Sequence, residues 1–180
     1  MLEDLWSNVR EPPAAVSERS FRIGARLLAR GKTKPALAHL HLAVAKGHPE
    51  AAYTLGTLCA QTQKDYTRAL LYYLTAAQVG HATAMSDLGV MYAAGMVTNG
   101  RSRSDDNSTA IGYLRRAAQR GCDKAMFNLA VLLYQGGETT NASLWFERAA
   151  RAGCGGLAAE WAKRLRPVPG SFFESFFLNI

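Results

Sequence analysis

The sequence predicts an all-α fold, a right-handed superhelical solenoid of antiparallel helix pairs with about four pairs and a C-terminal capping helix. One observation behind this prediction is a short phrase, Ala–x–x–x–Gly, that recurs four times and ends at Gly47, Gly80, Gly121 and Gly153. The glycines are separated by 33, 41 and 32 residues, which is typical of a helical repeat with one insertion. The other is that small and large apolar residues recur around each glycine at helical offsets.

The first helix of each pair has a small residue, a large apolar residue and another small residue after the glycine. In chain order the clearest sets are Ala51, Leu55 and Gly56, then Ala84, Leu88 and Gly89, then Ala125, Leu129 and Ala130. The second helices repeat a small and a large residue before the glycine, at Ala36 and Leu40, Ala69 and Tyr73, Ala110 and Leu114, and Ala142 and Phe146. Two crossing helices need small residues where their backbones meet and large ones beside them, so this pattern predicts close helix pairs.

Glycine and proline indicate where the helices end and begin. Each phrase glycine is expected to end a helix, because glycine adopts the left-handed conformation at little cost, and Pro35 and Pro49 fall in first turns. The predicted helices span residues 17–30, 34–46, 49–61, 65–79, 82–95, 107–120, 123–136, 140–152 and 155–165, with a long loop at 96–107. The predicted organisation is an N-terminal extension at 1–16, a repeat domain at 17–165 and an aromatic tail at 166–180.

The segment from Ala84 to Gly95, followed by Ala110 and the phrase ending at Gly121, resembles the Sel-one-like repeat, a relative of the tetratricopeptide repeat. Residues 123–154 repeat the pattern, and the resemblance extends over roughly residues 34–165. The pair at 17–46 is the poorest copy, and Cys59, Leu133 and Ala130 depart from the family's usual Tyr, Tyr and Gly. The resemblance implies an adaptor or scaffold whose concave face holds peptides or other proteins.

Composition excludes several other classes of protein. The 180 residues are 48% hydrophobic, which is too apolar for a disordered chain, and no stretch approaches the length of a membrane span. The first residues, MLEDLWSNVREPP, do not resemble a secretory signal, so we expect an intracellular protein, either cytoplasmic or mitochondrial. The net charge of +7 favours anionic partners, such as acidic proteins or nucleic acid, and it also allows peripheral contact with anionic lipid.

No catalytic residues, cofactor or metal site are predicted. We find no phosphate-binding glycine loop, no nucleophile motif and no clustered carboxylates. His48, His81, Cys122 and Cys154 each follow a phrase glycine, so we expect them in different layers of the stack, too far apart to share a zinc ion or form a disulfide.

The first helix of each pair is expected to line the inner face of the solenoid, where residues not used in packing are available to a partner. The predicted partner-binding groove consists of Glu50, Tyr53, Thr57, Thr83, Ser86, Val90, Lys124, Phe127, Val131 and Tyr134. Exposed aromatic side chains suit peptide capture, although Tyr53, Phe127 and Tyr134 could instead pack between repeats.

Two other features lie outside the groove. A basic stripe follows one face of the first helix at Arg19, Arg22, Arg26 and Arg30, and it is either a solvated face or a contact for phosphates or an acidic protein. The tail holds Phe172, Phe173, Phe176 and Phe177 on one face of a short helix. Such a face must dock, either on its own solenoid as a cap or on a neighbouring chain.

Three functions are consistent with these patterns. The leading hypothesis is a non-catalytic adaptor that binds a protein segment in its groove and anchors to a larger assembly through its ends. The alternative is an accessory subunit of a large multiprotein complex, in mitochondria for instance. RNA binding is disfavoured, because the basic residues do not recur at one repeat position as a base-reading code requires.

Overall fold

The structure is a computed structural model that describes residues 12–62, 64–97 and 102–165. All regular secondary structure in these ranges is helical, and the nine predicted helices are confirmed there. The helices are α1 (Pro13–Ala29), α2 (Thr33–Ala45), α3 (Pro49–Thr62), α4 (Tyr66–Gln78), α5 (Ala82–Ala93), α6 (Arg103–Gln119), α7 (Asp123–Gln135), α8 (Thr139–Arg151) and α9 (Gly155–Leu165).

Two helices begin four residues earlier than the sequence pattern predicts. Helix α1 starts at Pro13, which is tolerated in the first turn because its missing N–H would have no partner within the helix. The predicted loop at 96–107 is wrong in its last part, where α6 already begins at Arg103. Ser102 caps this helix by accepting the Asp105 N–H at 3.2 Å, and the acidic first turn is favourable at a helix N-terminus.

The recurring phrase has a common structural role. All four phrase glycines have positive φ, between 83° and 102°, which confirms that each ends a helix in the left-handed conformation. The residue after the glycine donates its N–H to the carbonyl of the phrase alanine, at 3.0 Å from His48 to Ala43 and at 2.9 Å from Cys154 to Ala149. The four phrase alanines are fully buried. In each phrase, therefore, the glycine ends the helix and the alanine four residues before it packs in the core.

Within the pairs, glycine permits close approach of the two helices. A Cβ atom placed on Gly24 would lie 2.9 Å from Cγ of Leu40, and one on Gly56 would lie 2.7 Å from Cδ1 of Tyr73. At Gly89 the distance to Cγ of Leu114 would be 2.5 Å. In these three pairs the large residue of the second helix therefore packs directly over the glycine of the first.

The chain divides into two compact units, the first ending at Ala84 and the second beginning at Met85. In the first unit α1 packs on α2, α2 on α3 and α3 on α4. The core that joins its first two pairs contains Leu40, Ala43, Ala51 and Leu55. In the second unit α6 packs on α7, α7 on α8 and α8 on α9. The predicted domain boundaries at 17 and 165 stay a prediction.

Candidate interaction surfaces

A histidine joins successive helix pairs in the first unit. Nδ1 of His48 accepts the N–H of Ala51 at 3.3 Å, so the ring caps the first turn of α3. Its Nε2 lies 3.0 Å from a carboxylate oxygen of Glu18 on α1, and the ring stacks on Phe21 with centroids 4.4 Å apart. Because Nδ1 accepts a backbone N–H, we assign the Nε2–H tautomer, which donates to the carboxylate.

The same arrangement recurs one repeat later. Nδ1 of His81 accepts the N–H of Ala84 at 3.1 Å, and Nε2 lies 2.7 Å from Glu50. The His81 ring stacks on Tyr53 with centroids 4.8 Å apart. The predicted groove residues Glu50 and Tyr53 therefore bind the beginning of the next repeat.

Of the two remaining groove residues of the first unit, Thr57 is also hydrogen-bonded locally. The Thr57 hydroxyl donates to the carbonyl of Tyr53 at 3.1 Å and lies 3.5 Å from the hydroxyl of Tyr73. Tyr53 packs against Tyr73 with ring centroids 5.8 Å apart. Thr83 is half-buried near the start of α5. The Tyr53 ring thus lies between Tyr73 of its own helix pair and His81, which begins the next repeat.

In the second unit the predicted residues differ in exposure. Ser86 is buried, so it presents no groove surface, whereas Lys124 is exposed. Phe127 packs edge-on against Phe146 with ring centroids 5.4 Å apart. Tyr134 contacts Trp161 at 5.3 Å and still keeps 40% of its surface exposed.

Cysteine replaces histidine after the phrase glycines of the second unit. Cys122 and Cys154 are half-buried, and all three cysteines of the chain are free. Burial, with a smaller contribution from Asp123, raises the pKa of the Cys154 thiol. The histidine arrangement of the first unit therefore has no counterpart at these two positions.

Two predicted groove residues come together in one cavity of the second unit. Val90 on α5 and Val131 on α7 line a cavity of about 290 Å³. The other lining residues described are Ala93, Ala94, Arg103, Leu114, Asn128, Leu132 and Gln135. Val90 is 40% exposed, so the apolar floor is open to solvent. The cavity thus combines an apolar floor with one cationic and two amide side chains.

Sequence reasoning missed Arg103, Asn128 and Gln135. The sequence pattern predicts a loop at Arg103, although a serine cap at Ser102 is the signal that would place this residue at the start of a helix. Asn128 and Gln135 lie three residues before and four after Val131, and this helical spacing could have put them on the same face.

The predicted basic stripe lies on α1. Arg19, Arg22, Arg26 and Arg30 are all exposed. The first three border a groove of about 460 Å³ that Ala15, Glu18 and Ile23 also line. The predicted docking tail, Phe172, Phe173, Phe176 and Phe177, lies outside the described residues.

Within the described ranges, no group of three or more His, Cys, Asp or Glu side chains is placed to hold a metal ion. None of the helices found there has both the length and the apolar character needed to cross a bilayer.

Residues 49–81 match the family model of the Sel1 repeat, and residues 101–156 match that of the tetratricopeptide repeat. No curated protein sequence matches the chain significantly. These family matches, with the solved Sel1 repeat structures below, confirm the resemblance to the Sel-one-like repeat.

Several solved structures are similar. The chain is 26% identical to c5321, a protective antigen with an SLR fold present in uropathogenic Escherichia coli strains, with a TM-score of 0.64 over 74% of this chain. It is 28% identical to a Sel1 repeat protein from Oxalobacter formigenes, with a TM-score of 0.64 over 74% of this chain. It spans 30% of the first protein's length and 56% of the second's.

A more distant structure is pilF of Pseudomonas aeruginosa, at 19% identity and a TM-score of 0.60. That match covers 85% of this chain and 68% of the other. At this level of identity the likeness shows the fold alone. The all-helical repeat fold predicted from the sequence is confirmed by these neighbours and by the helices of the structure.

Proposed function

Because the chain carries Sel1 and tetratricopeptide repeats, which are generally involved in protein–protein interaction, we propose that it is a non-catalytic adaptor that binds a segment of a partner protein. The binding surface is the cavity of the second unit, where Val90 and Val131 form the apolar floor. This cavity is the observation that carries the proposal, since it brings two independently predicted groove residues together.

The side chains around the cavity suit an extended peptide. Its apolar floor accepts one aliphatic or aromatic side chain, and burial of that side chain stabilises the complex by roughly 1.5–3 kcal/mol. The amides of Asn128 and Gln135 can both donate to and accept from a peptide backbone. Arg103 adds a charged donor for a carboxylate. The preferred ligand is therefore an apolar residue close to an acidic group.

The first unit supports this choice of surface by contrast. Glu50 and Tyr53 are used in binding His81, so a partner would have to displace that contact to reach them. Val90 has 40% of its surface exposed and needs no such displacement. A partner segment therefore binds at the second-unit cavity at lower energetic cost.

The test is selection of peptides from a random library displayed on phage, with the full chain immobilised. We expect enrichment of sequences that place an apolar residue near Asp or Glu. In the variant Val131→Glu a carboxylate stands in the apolar floor, so the selected peptides should bind about tenfold or more weakly. The matched control is Leu144→Glu, which changes an exposed leucine on α8 of the same unit and should leave affinity unchanged.

Two outcomes would contradict the proposal. One is that the selected peptides bind the Val131→Glu variant as well as the unchanged chain. The other is that no peptide is enriched while an RNA pool binds with an affinity that falls steeply as salt rises, which would favour the RNA-binding alternative. Membership of a larger complex and the cellular compartment stay predictions.

A further inference from the structure

The surplus positive charge of the chain is concentrated in the first helix pair. Residues 19–49 contain no Asp or Glu and seven basic residues, which are Arg19, Arg22, Arg26, Arg30, Lys32, Lys34 and Lys46. The whole chain has 21 basic and 14 acidic residues, so once these seven are set aside 14 basic residues are balanced by 14 acidic ones. The net charge of +7 therefore comes from this one segment, which runs from α1 through α2.

The arrangement of these charges does not favour helix formation. Arg22, Arg26 and Arg30, called here the arginine row, are exposed and follow one another at intervals of four residues, a spacing at which like charges destabilise a helix. Lys32 and Lys34 lie at the cap and in the first turn of α2, the positive end of its dipole, without an acid in that turn. Charges placed only for solubility are interspersed in sign, so this pattern indicates a role beyond solvation.

Exposed arginines in other helices have acids within reach. Nε of Arg68 lies 2.7 Å from the carboxylate of Asp65 at the start of α4. Arg151 lies 3.6 Å from the carboxylate of Glu147 on α8. In the part of the chain that the structure describes, no acid lies within ion-pair distance of the arginine row. The row is therefore available to an anionic partner without displacing an internal contact.

The surface around the arginine row is an open helix face. The described residues that line the groove beside it all belong to α1, so no second helix forms an opposite wall. The acid among them, Glu18, has its carboxylate 3.0 Å from Nε2 of His48. Ile23 and Leu27 each follow an arginine of the row and are half-buried, so some apolar surface lies between the charges. This face fits a broad anionic surface better than a narrow segment.

We propose that this face of α1 binds the surface of a membrane that contains anionic phospholipid. The guanidinium groups of the arginine row bind lipid phosphates, which match their planar fork of donors. Their aliphatic stems, with Ile23 and Leu27, lie against the interfacial region of the bilayer. Each Lys or Arg that approaches an anionic surface raises partitioning roughly fivefold, so the row and the two adjacent lysines together give peripheral attachment.

Two other classes of anionic partner fit the face less well. Single-stranded nucleic acid is bound by aromatic rings that stack on the bases as well as by cations. The aromatic residue of α1, Phe21, is already stacked on His48 with ring centroids 4.4 Å apart. An acidic protein segment would need buried anchors in pockets, which an open helix face does not provide. Both classes enter the test as competing ligands.

The test is cosedimentation of the full chain with vesicles of phosphatidylcholine alone or of phosphatidylcholine mixed with phosphatidylserine. We expect binding to the mixed vesicles only, with a steep loss as salt rises. In the variant Arg22→Gln, Arg26→Gln and Arg30→Gln, three cations are removed, so partitioning should fall about a hundredfold. Glutamine is close to arginine in helix propensity, so circular dichroism should show unchanged helix content.

The matched control removes the same charge from another helix. Arg115, Arg116 and Arg120 are exposed at the end of α6, which also contains Asp105 and Asp106. Their replacement by glutamine should leave most of the vesicle binding intact. A control that loses as much binding as the α1 variant would show that net charge alone attracts the chain to the bilayer.

A second measurement needs no variant. Anionic bicelles carrying a gadolinium chelate on a lipid headgroup are added to the full chain labelled with ¹⁵N, and the paramagnetic broadening of each amide is recorded. We expect the strongest broadening along the exposed face of α1 and at Lys32 and Lys34, with little broadening in α6.

Three results would overturn the proposal. The first is that the full chain does not bind the mixed vesicles even at low salt. The second is that the α1 variant binds as well as the α6 control, or that the broadening is centred outside α1. The third is that an RNA pool or poly-glutamate binds through the arginine row and excludes the vesicles, which would assign this face to that class of partner.

Discussion

Replacement of Gly89 by alanine should destabilise the second unit, whereas the same replacement at Gly112 should stabilise it. Both glycines lie inside helices of this unit, at α5 and α6. A Cβ at Gly89 would be 2.5 Å from Cγ of Leu114 and 3.2 Å from the carbonyl oxygen of Ala110. A Cβ at Gly112 would meet nothing within 4 Å. The pair of variants therefore separates packing from helix propensity.

The magnitude follows from the contact distance. Carbon atoms pack at about 3.5–4.0 Å, so the new methyl at Gly89 would be roughly 1 Å too close to Leu114. Leu114 is almost completely buried, and overpacking of this kind lowers the free energy of unfolding by about 1–3 kcal/mol. Alanine gains up to about 1 kcal/mol over glycine in a helix at either site. The Gly89→Ala variant should therefore be less stable than Gly112→Ala by about 1–3 kcal/mol.

The assay is urea unfolding of both variants and the unchanged chain, followed by circular dichroism. The free energy of unfolding of Gly112→Ala should be about 0.5–1 kcal/mol higher than that of the unchanged chain, because no contact opposes the gain in helix propensity. Gly56→Ala provides an independent repetition in the first unit, where the clash is with Tyr73. Equal stabilities of the Gly89 and Gly112 variants would refute the close approach of α5 and α6 at this position.

Other predictions concern the helix caps and the thiols. His81→Ala removes the cap on the Ala84 N–H, the hydrogen bond to Glu50 and the stacking on Tyr53, so the Tm should fall and amide hydrogen exchange at the start of α5 should become faster. An unchanged Tm would refute the structural role of this histidine. The hydrogen bond from the Arg68 N–H lowers the pKa of Asp65 below its ordinary value of 3.8. This cap therefore stabilises the fold above pH 3.8, and its contribution is lost as the pH falls through the lowered pKa. Asp65→Ala should weaken the dependence of the free energy of unfolding on acid pH in a series of urea melts, and an unaltered dependence would contradict this. Burial raises the pKa of the Cys59 thiol, so iodoacetamide should label Cys59 more slowly than the less buried Cys122 in the native chain. Mass spectrometry measures the two labelling rates, and faster labelling of Cys59 would contradict the prediction.

The hairpin ends were predictable from sequence because their chemistry is local. A left-handed residue after a helix is usually glycine, so the helix ends at Gly47 and its three counterparts could be predicted from the sequence. The start of α6 was missed because the cap at Ser102 stands in a run of serines and arginines that resembles a loop. Local signals therefore located the ends of the helices better than the beginning of the one beside the insertion.

The contacts between repeats were less accessible to sequence reasoning. Glu18 and His48 are 30 residues apart, and Glu50 and His81 are 31 apart, so the separation follows the repeat period. This regularity could have identified the pairs, although ring stacking and half-burial depend on how the helices are rotated. Rotation also decided that Ser86 is buried while Val90 is exposed.

The central claim, that the second-unit cavity binds a partner segment, is tested most directly by NMR. A peptide selected by the chain is titrated into protein labelled with ¹⁵N and methyl ¹³C. The account predicts the largest shifts at the methyls of Val90 and Val131 and at the side-chain amide of Asn128. Shifts centred on α8 or α9, or on the first unit, would contradict it.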